Sequence, residues 1–468
     1  MQIYNSLTKK KEELIPLDPA GKRINMYTCG VTVYDQCHIG HARSLYVFDL
    51  IRRYLQSRGF KVNFVRNITD VDDKIINKAN ELKKSSDQVA RENVDLYYRD
   101  LESLGVSRAD IEPRATENIA DIVKDVEGLI KRGFAYNVNG DVYFNVRKFS
   151  DYGKLSGQSI EKMMEAVRIE KDEQKKDPLD FALWKKSKEG EPSWDSPWGG
   201  GRPGWHIECS CMSLKHLKCE TLDIHAGGRD LIFPHHENEI AQAEALHGKP
   251  FAKYWLHHGL ITVNGQKMAK SLGNFITVQE ALKKYPLDDL KLLFLFSHYA
   301  SNIDFTEQKM EEAHKAMQKF DVLFWKAHEL LKGKKFPTVG TADFIEQHRQ
   351  EFVAAMDDDF NTPQALAAVF DLINETNKFI DAGKKDDKSL AVIYQAVDMI
   401  ESLAKDIFGL FSKEADNDLD VEAEKLLEER KAARAGKNFK RSDELRDLLK
   451  DKGIVVEDTK EGQTWRWA

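Results

Sequence analysis

Two short stretches, far apart in the chain, carry residues suited to holding a phosphate chain. His38-Ile39-Gly40-His41 lies between a strand pattern and a helix pattern, and Lys267-Met268-Ala269-Lys270-Ser271 begins 226 residues after His41. Imidazoles in front of a helix N-terminus can donate to phosphate oxygens, toward which the helix also directs free N–H groups and its positive dipole end. Gly40 allows close backbone approach. Two lysines three residues apart can neutralise charge on a leaving pyrophosphate, a task of positioning and electrostatics rather than proton transfer. Gly265 and Gly273 flank them and suit a loop that closes on a nucleotide. His38, Gly40, His41, Lys267 and Lys270 are thus the candidates for holding and breaking a nucleotide triphosphate. Either motif alone also fits a blander reading: a histidine-containing turn, or a solvated basic loop.

Two further groups carry chemistry. His235-His236-Glu237-Asn238-Glu239 opens an apolar helical pattern, on which His235 and Glu239 share a face at i, i+4 spacing. Cys209 lies shortly upstream and Cys29 ends the first strand pattern; cysteine, histidine and carboxylate donors together suit Zn²⁺. Spacing does not join Cys29 to Cys209, 180 residues later. Near the C-terminus, Arg430 to Arg446 holds seven basic residues against two acidic ones, with Phe439, Trp465 and Trp467 close by. Basic charge with aromatic faces suits an unpaired RNA loop, for which Arg430, Arg434, Lys437, Lys440, Arg441 and Trp465 are candidates. A solvated helix face is the alternative.

The elements that must position these residues follow from periodicity. Ile24 to Cys29 reads as a buried strand. Ala42 to Arg58 reads as a helix with Leu45, Phe48, Ile51 and Leu55 on one face, capped by Gly59, and Val62 to Val65 as the next strand. This is a parallel crossover unit, with Asn67 to Asp73 at the strand end where ligands of open α/β sheets gather. Asp87 to Lys131 reads as helical. Gly133 to about Gly204 is irregular, with possible strands at Phe134–Val138 and Val142–Val146 and a charge run, Lys171 to Asp177. Beyond Val278 the pattern is helical, with Phe352–Ile380 and Ser389–Phe411 spaced as in a bundle. Ser412 to Asp420 is a polar joint before a small last unit.

The expected organisation is α/β: a Rossmann-type parallel-sheet domain over 1–115 and 205–277, split by an insertion at 116–204. A helical bundle follows over 278–415, then a small domain over 416–468. The 41% hydrophobic content is that of a globular protein. No apolar run has the length of a membrane span, Leu292–Phe296 being far too short, and the N-terminus lacks a signal-peptide pattern. A cytoplasmic location is expected. Five cysteines, odd in number and unevenly spaced, argue for thiols or metal ligands over disulfides. A net charge of −7 speaks against wholesale nucleic-acid binding but permits a local basic patch.

With these residues assembled, the chain resembles the cysteinyl-tRNA synthetase family of class I aminoacyl-tRNA synthetases, over essentially its full length. The resemblance rests on Thr28-Cys29-Gly30-Val31-Thr32-Val33-Tyr34-Asp35 leading into His38–His41, and on Asn67-Ile68-Thr69-Asp70-Val71-Asp72-Asp73-Lys74. It extends through Gly204-Trp205-His206-Ile207-Glu208-Cys209-Ser210, Phe233-Pro234-His235-His236-Glu237-Asn238-Glu239 and Met356-Asp357-Asp358-Asp359-Phe360-Asn361-Thr362-Pro363. It implies that L-cysteine is activated with ATP to cysteinyl-adenylate and transferred to tRNA. Cys29, Cys209, His235 and Glu239 are implied as ligands of one zinc that binds the substrate thiolate. It further implies Mg²⁺ with ATP, a pocket lined by Thr32, Thr69, Trp205, His225 and Asp230, an anticodon-binding role for the last domain, a monomer, and no editing domain. Two positions depart from the family pattern: Ala269 stands where the lysine loop usually has serine, and Ala226 where glycine is usual, so that its methyl is expected to crowd the pocket. Ligation of cysteine to an amino sugar is an alternative, disfavoured by the segment Val421 to Trp467. A catalytically silent zinc- and RNA-binding adaptor is another; it would have lost His41, Lys270 or a metal ligand, and none is lost.

Overall fold

The computed structural model describes residues 1–166, 174–332, 336, 342–384, 386–412, 421–451, 454–459 and 462–467. Most of the polar joint at Ser412–Asp420 and the first half of the charge run at Lys171–Asp177 lie outside these residues. No helix among them is long and apolar enough to cross a membrane.

A hairpin of β1 (Gln2–Asn5) and β2 (Lys10–Glu13) precedes β3 (Arg23–Thr28), α1 (Ile39–Ser57) and β4 (Lys61–Arg66). β3 and β4 are parallel, with Arg23 opposite Lys61 and Thr28 opposite Arg66. Alternation along β3 sends Ile24 and Met26 to a core shared with Leu45, Phe48, Ile51 and Leu55 of α1, while Tyr27 faces the other side. α1 starts three residues earlier than its apolar stripe predicts, because His38 caps it: its Nδ1 accepts from the N–H groups of Gly40 and His41 at 3.0 and 3.3 Å.

After β4 comes α2 (Asp73–Leu82), which the sequence reading did not include, and the predicted helical stretch Asp87–Lys131 is two helices, α3 (Ser86–Ser103) and α4 (Ile119–Lys131). Between α3 and α4 the chain runs along the free edge of β4 and satisfies it, Arg66 N–H donating to Ile111 and Ile68 N–H to Pro113. The insertion then forms an antiparallel sheet of β5 (Ala135–Val138), β6 (Asp141–Phe144), β7 (Phe181–Lys186) and β8 (Gly201–Pro203), with α5 (Ile160–Ala166) between β6 and β7. Sequence periodicity predicts only the first two of these strands.

The parallel sheet resumes through α6 (Trp205–Leu217), β9 (Leu222–Gly228), α7 (Glu237–His247) and β10 (Ala252–His258). Its order is β10-β9-β3-β4, all parallel. The chain leaves β3 toward β4 on one side and returns to β9 on the other. The crevice beyond the C-terminal ends of β3 and β9 is therefore the place where such sheets bind ligands. α1 covers one face; α6 and α7 cover the other, with Ile207, Cys209, Ile240 and Ala241 packed around Tyr27.

A small platform follows: β11 (Ile261–Val263), β12 (Gln266–Lys267), α8 (Val278–Lys284), α9 (Leu287–Leu295) and β13 (Ile303–Phe305), with strand order β12-β11-β13. α10 (Glu307–Leu331), α11 (Asp343–Asp357), α12 (Thr362–Asp381) and α13 (Asp387–Ser402) make the bundle. The predicted apolar run Phe352–Ile380 is broken at Asp358–Asn361, where Asp359 turns back to accept from the Tyr4 N–H and the Tyr299 hydroxyl. The last unit is α14 (Val421–Ala435), α15 (Phe439–Asp451) and a hairpin of β14 (Ile454–Thr459) and β15 (Gly462–Trp467), around Ala423, Leu427, Leu449, Ile454 and Val456.

Candidate functional site

Cys29 follows β3 directly, and its N–H donates to the Ala226 carbonyl at 3.3 Å. The chain passes so close to the Asn67 carbonyl that a Cβ at Gly30 would sit 1.6 Å from that oxygen; only glycine fits. Cys209 comes from α6, and His235 and Glu239 from the turn into α7 and its first residues. The ligating atoms of Cys29, Cys209, His235 and Glu239 all lie within 4.8 Å of one another. Cys209, His235 and Glu239 are at most 1% exposed.

His225 of β9 and His236 reach the same point. His225 Nε2 lies 2.8 Å from Glu239 Oε2, and His236 Nε2 lies 3.3 Å from Cys29 Sγ, so Cys29, His225, His236 and Glu239 form a second, overlapping donor set. Behind them, His236 Nδ1 lies 2.8 Å from His257 Nε2, whose Nδ1 lies 2.8 Å from Ser6 Oγ; His206 and His235 face each other Nδ1 to Nδ1 at 2.8 Å. Such outer partners fix ring orientation and tautomer. His236 was not among the predicted site residues; its adjacency to His235 was the available signal. Burial opposes ionisation of Glu239, but the facing His225 and His235 outweigh it and hold the carboxyl well below its usual range. Burial also opposes a thiolate at Cys209, yet the Cys29 and His235 side chains bring it down to about 6, while burial and Cys209 push Cys29 well up.

The predicted pocket residues divide. Trp205 stacks on His235 with ring centres 4.1 Å apart, and His225 stacks on Trp255 at 4.3 Å. The Thr69 hydroxyl accepts from Asn67 Nδ2 and donates to the buried Glu208, both at 3.1 Å; Asn67 Oδ1 in turn accepts from the Tyr27 hydroxyl and the Gly30 N–H. Thr32 joins only through backbone pairing with Thr69. Asp230 stands exposed beside Gly228. The expectation that Ala226 crowds the pocket fails: its methyl packs with Met26, Phe48 and Leu256 on the α1 side of the sheet.

At the α1 N-terminus the His38 and His41 rings stack, centres 3.7 Å apart. Each Nδ1 accepts a backbone N–H, that of His41 from His38 at 3.4 Å, so each Nε2 is left to carry the proton. Burial pushes His38 down to about 4 and His41 well down too. Both rings are neutral donors at neutral pH. The lysine loop lies alongside: His38 pairs with Thr277, and Ile39 N–H donates to Ile276. Lys267 is exposed on β12; Lys270 is exposed and ion-paired with Asp35. Asn274 closes the loop, accepting from Ala269 N–H at 2.8 Å and donating to the Lys267 carbonyl at 3.1 Å.

In the C-terminal unit, Arg434, Lys437, Lys440 and Arg441 are exposed. Arg430 is not available to RNA: it is fully buried and its guanidinium is taken by Asp458 and Gln463. Trp465 lies on β15 opposite Val456; its side chain is outside the described atoms.

Known proteins are similar to this chain in sequence and fold. Residues 17–315 match the class I (C) tRNA synthetase catalytic domain, 351–412 the DALR domain and 416–466 the cysteinyl-tRNA ligase anticodon binding domain. The cysteine–tRNA ligase of Persephonella marina is 49% identical, covering 100% of this chain and 99% of that one. That of Aquifex aeolicus is 48% identical with the same coverage. Among solved structures, methionyl-tRNA synthetase of Mycobacterium tuberculosis in complex with methionyl-adenylate superposes with a TM-score of 0.64 at 15% identity, covering 84% of this chain and 92% of that one, a likeness of fold.

Proposed function

The chain belongs to the cysteine–tRNA ligases, class I aminoacyl-tRNA synthetases that charge tRNA with cysteine, and from that premise we propose how its residues divide the work. Cys29, Cys209, His235 and Glu239 hold one zinc ion. The observation that carries this is the convergence of two sulfurs, an imidazole and a carboxylate within 4.8 Å. Buried His235 Nε2 also lies 2.9 Å from Glu239 Oε1 while aligned in no hydrogen bond, as two donors aimed at one ion would be. A zinc ion there supplies a soft Lewis-acid position that favours a thiolate over the hydroxyl of serine, which an apolar pocket rejects poorly.

Trp205, Thr69 and His225 line the amino-acid side, with Thr32 and Asp230 at the rim. The substrate carboxylate attacks the α-phosphate of ATP, releasing pyrophosphate and leaving cysteinyl-adenylate. His38 and His41 donate their Nε2–H groups to phosphate oxygens, and Gly40 leaves space for the chain beside them. Lys267 and Lys270 neutralise the leaving pyrophosphate, Lys270 exchanging Asp35 for phosphate oxygens. Mg²⁺ accompanies ATP. The terminal adenosine hydroxyl of tRNA then attacks the adenylate carbonyl and AMP leaves. Arg434, Lys437, Lys440, Arg441 and Trp465 contact the unpaired anticodon loop. The enzyme acts as a cytoplasmic monomer. Charging of total tRNA with labelled cysteine against serine, with metal analysis, tests the reading. Zinc-loaded protein should charge cysteine and exclude serine; charging without bound metal would refute the zinc role.

A further inference from the structure

The two ATP-handling motifs are joined by a residue that belongs to neither. Arg43 lies on α1, two positions past His41, and is fully buried. Among the described residues its guanidinium donates only to backbone carbonyls. Nη1 reaches Gly259 at 2.8 Å and Leu260 at 3.1 Å; Nη2 reaches Tyr299 at 3.0 Å, Ser301 at 2.5 Å and His298 at 3.5 Å. Among the described residues no carboxylate pairs with it within ion-pair distance.

Those carbonyls come from two crossing segments. Gly259–Leu260 leads from β10 into β11, and His298–Ser301 leads from α9 toward β13. The crossing is tight: Gly259 N–H donates to the Tyr299 carbonyl at 2.9 Å, and a Cβ at Gly259 would lie 2.2 Å from the Ser301 carbonyl oxygen. β11 and β13 pair in parallel from Ile261 and Ile303 onward, and β11 continues through Asn264–Gly265 into β12 and the lysines. Arg229 takes the intervening Ala300 carbonyl at 2.8 Å, so the carbonyls of residues 298 to 301 are all held by these two guanidinium groups.

We propose that Arg43 is a positioning residue for the lysine loop, locking the base of the platform that carries Lys267 and Lys270 to the helix that carries His38 and His41. The far end of the loop is tied to the same helix through Ile276–Val278, so the segment bearing Lys270 spans two anchors on one rigid element. A planar fork with five donors can bridge two segments at once; an ammonium keeps the charge but cannot. Burial and the charge of Arg229 lower the Arg43 pKa to about 10, which leaves it protonated at neutral pH.

The inference rests on the reading of the two motifs as the ATP site, and the test separates the two. Arg43→Lys is compared with Lys270→Ala and with wild type in ATP–pyrophosphate exchange. Zinc content and trypsin cleavage after Lys267 and Lys270, with and without Mg-ATP, are measured in parallel. Arg43→Lys is expected to lower exchange kcat on the order of 100-fold, the cost of a displaced catalytic group. Zinc content and KM for cysteine should stay at wild-type levels, and Mg-ATP should no longer shield the loop from trypsin. Undiminished exchange with intact shielding overturns the proposal, as does equal loss of zinc and cysteine binding, which marks a general packing defect. Undiminished exchange in Lys270→Ala sinks the ATP-site reading instead. Arg229→Ala is the second variant, used if Arg43→Lys does not fold. It removes one carbonyl contact from the solvent side and should show the same pattern at smaller size; wild-type shielding and kcat in Arg229→Ala would count against the lock.

Discussion

The proposed metal cradle and the lysine loop, assigned above to one reaction, are built in opposite ways. The cradle is buried, and its donors are held by a second layer of His206, His236, His257 and Asn67, each engaged in turn. The loop is exposed, closed by one asparagine and anchored at its two ends. The difference follows from the tasks. Distinguishing a thiol from a hydroxyl needs donors that do not relax. Stabilising a pyrophosphate that then departs needs cations that can change partners, and the exposed Lys270, ion-paired with Asp35, is placed for the exchange proposed above.

The largest effect should come from breaking the cradle. Cys209→Ser is expected to weaken metal binding by more than about 100-fold, beyond the usual cost of losing an outer partner, with cysteine activation falling alongside. Metal analysis and exchange measure this, and full zinc occupancy with normal exchange would falsify the ligand assignment. Next, Lys270→Ala should cut exchange roughly 100- to 1,000-fold, as for removal of one transition-state donor, while zinc content is unchanged. Loss of zinc there would show that loop and cradle are not separable. Truncation after Ser412 touches neither region: exchange should persist while tRNA charging drops about tenfold or more, equivalent to ~1.4 kcal/mol of lost tRNA interaction. His38 sharpens the comparison through pH. Its folded pKa of about 4 lies below the ordinary histidine value of about 6.5. The unfolded chain therefore binds the extra proton between those values, and stability rises with pH across that window. The stability that His38 contributes is complete above about pH 6.5 and lost toward pH 4; urea titrations of His38→Asn should show a shallower acid slope. The smallest effect is expected from Ala269→Ser, within about twofold in exchange, because the loop closure here runs through the Ala269 backbone and Asn274.

Much of the frame is legible in the sequence alone. The crossover of β3, α1 and β4 followed from apolar spacing, since both faces of that unit are buried against long helices. The His38–His41 turn was legible as a helix start for the same reason, although the cap itself came from a histidine rather than the usual serine or aspartate. Other features depended on long-range contact and left no local trace. The extended segment at Asp110–Pro113 is set by the open edge of β4, not by its own residues. Arg430 reads as one of a row of surface cations, and only the position of Asp458 on the following hairpin makes it internal. Cys29 meets Cys209 because α6 packs on the face of the sheet at the end of β3, a fact that spacing along the chain does not encode; the motif resemblance supplied it. His236 was passed over because a helix places its neighbour His235 over Glu239, whereas the turn that precedes α7 brings both rings to one point.

One contact seals the insertion to this chemistry. Glu237, buried between the two histidines and Glu239, accepts from the N–H groups of Gly153 and Ser156 at 2.9 and 2.8 Å, and Tyr152 donates to Asn238 at 2.5 Å. The segment that interrupts the sheet therefore helps set where the metal-facing helix begins. Exchanging the insertion for that of a homologue would therefore also exchange the groups that hold the first turn of α7 in place.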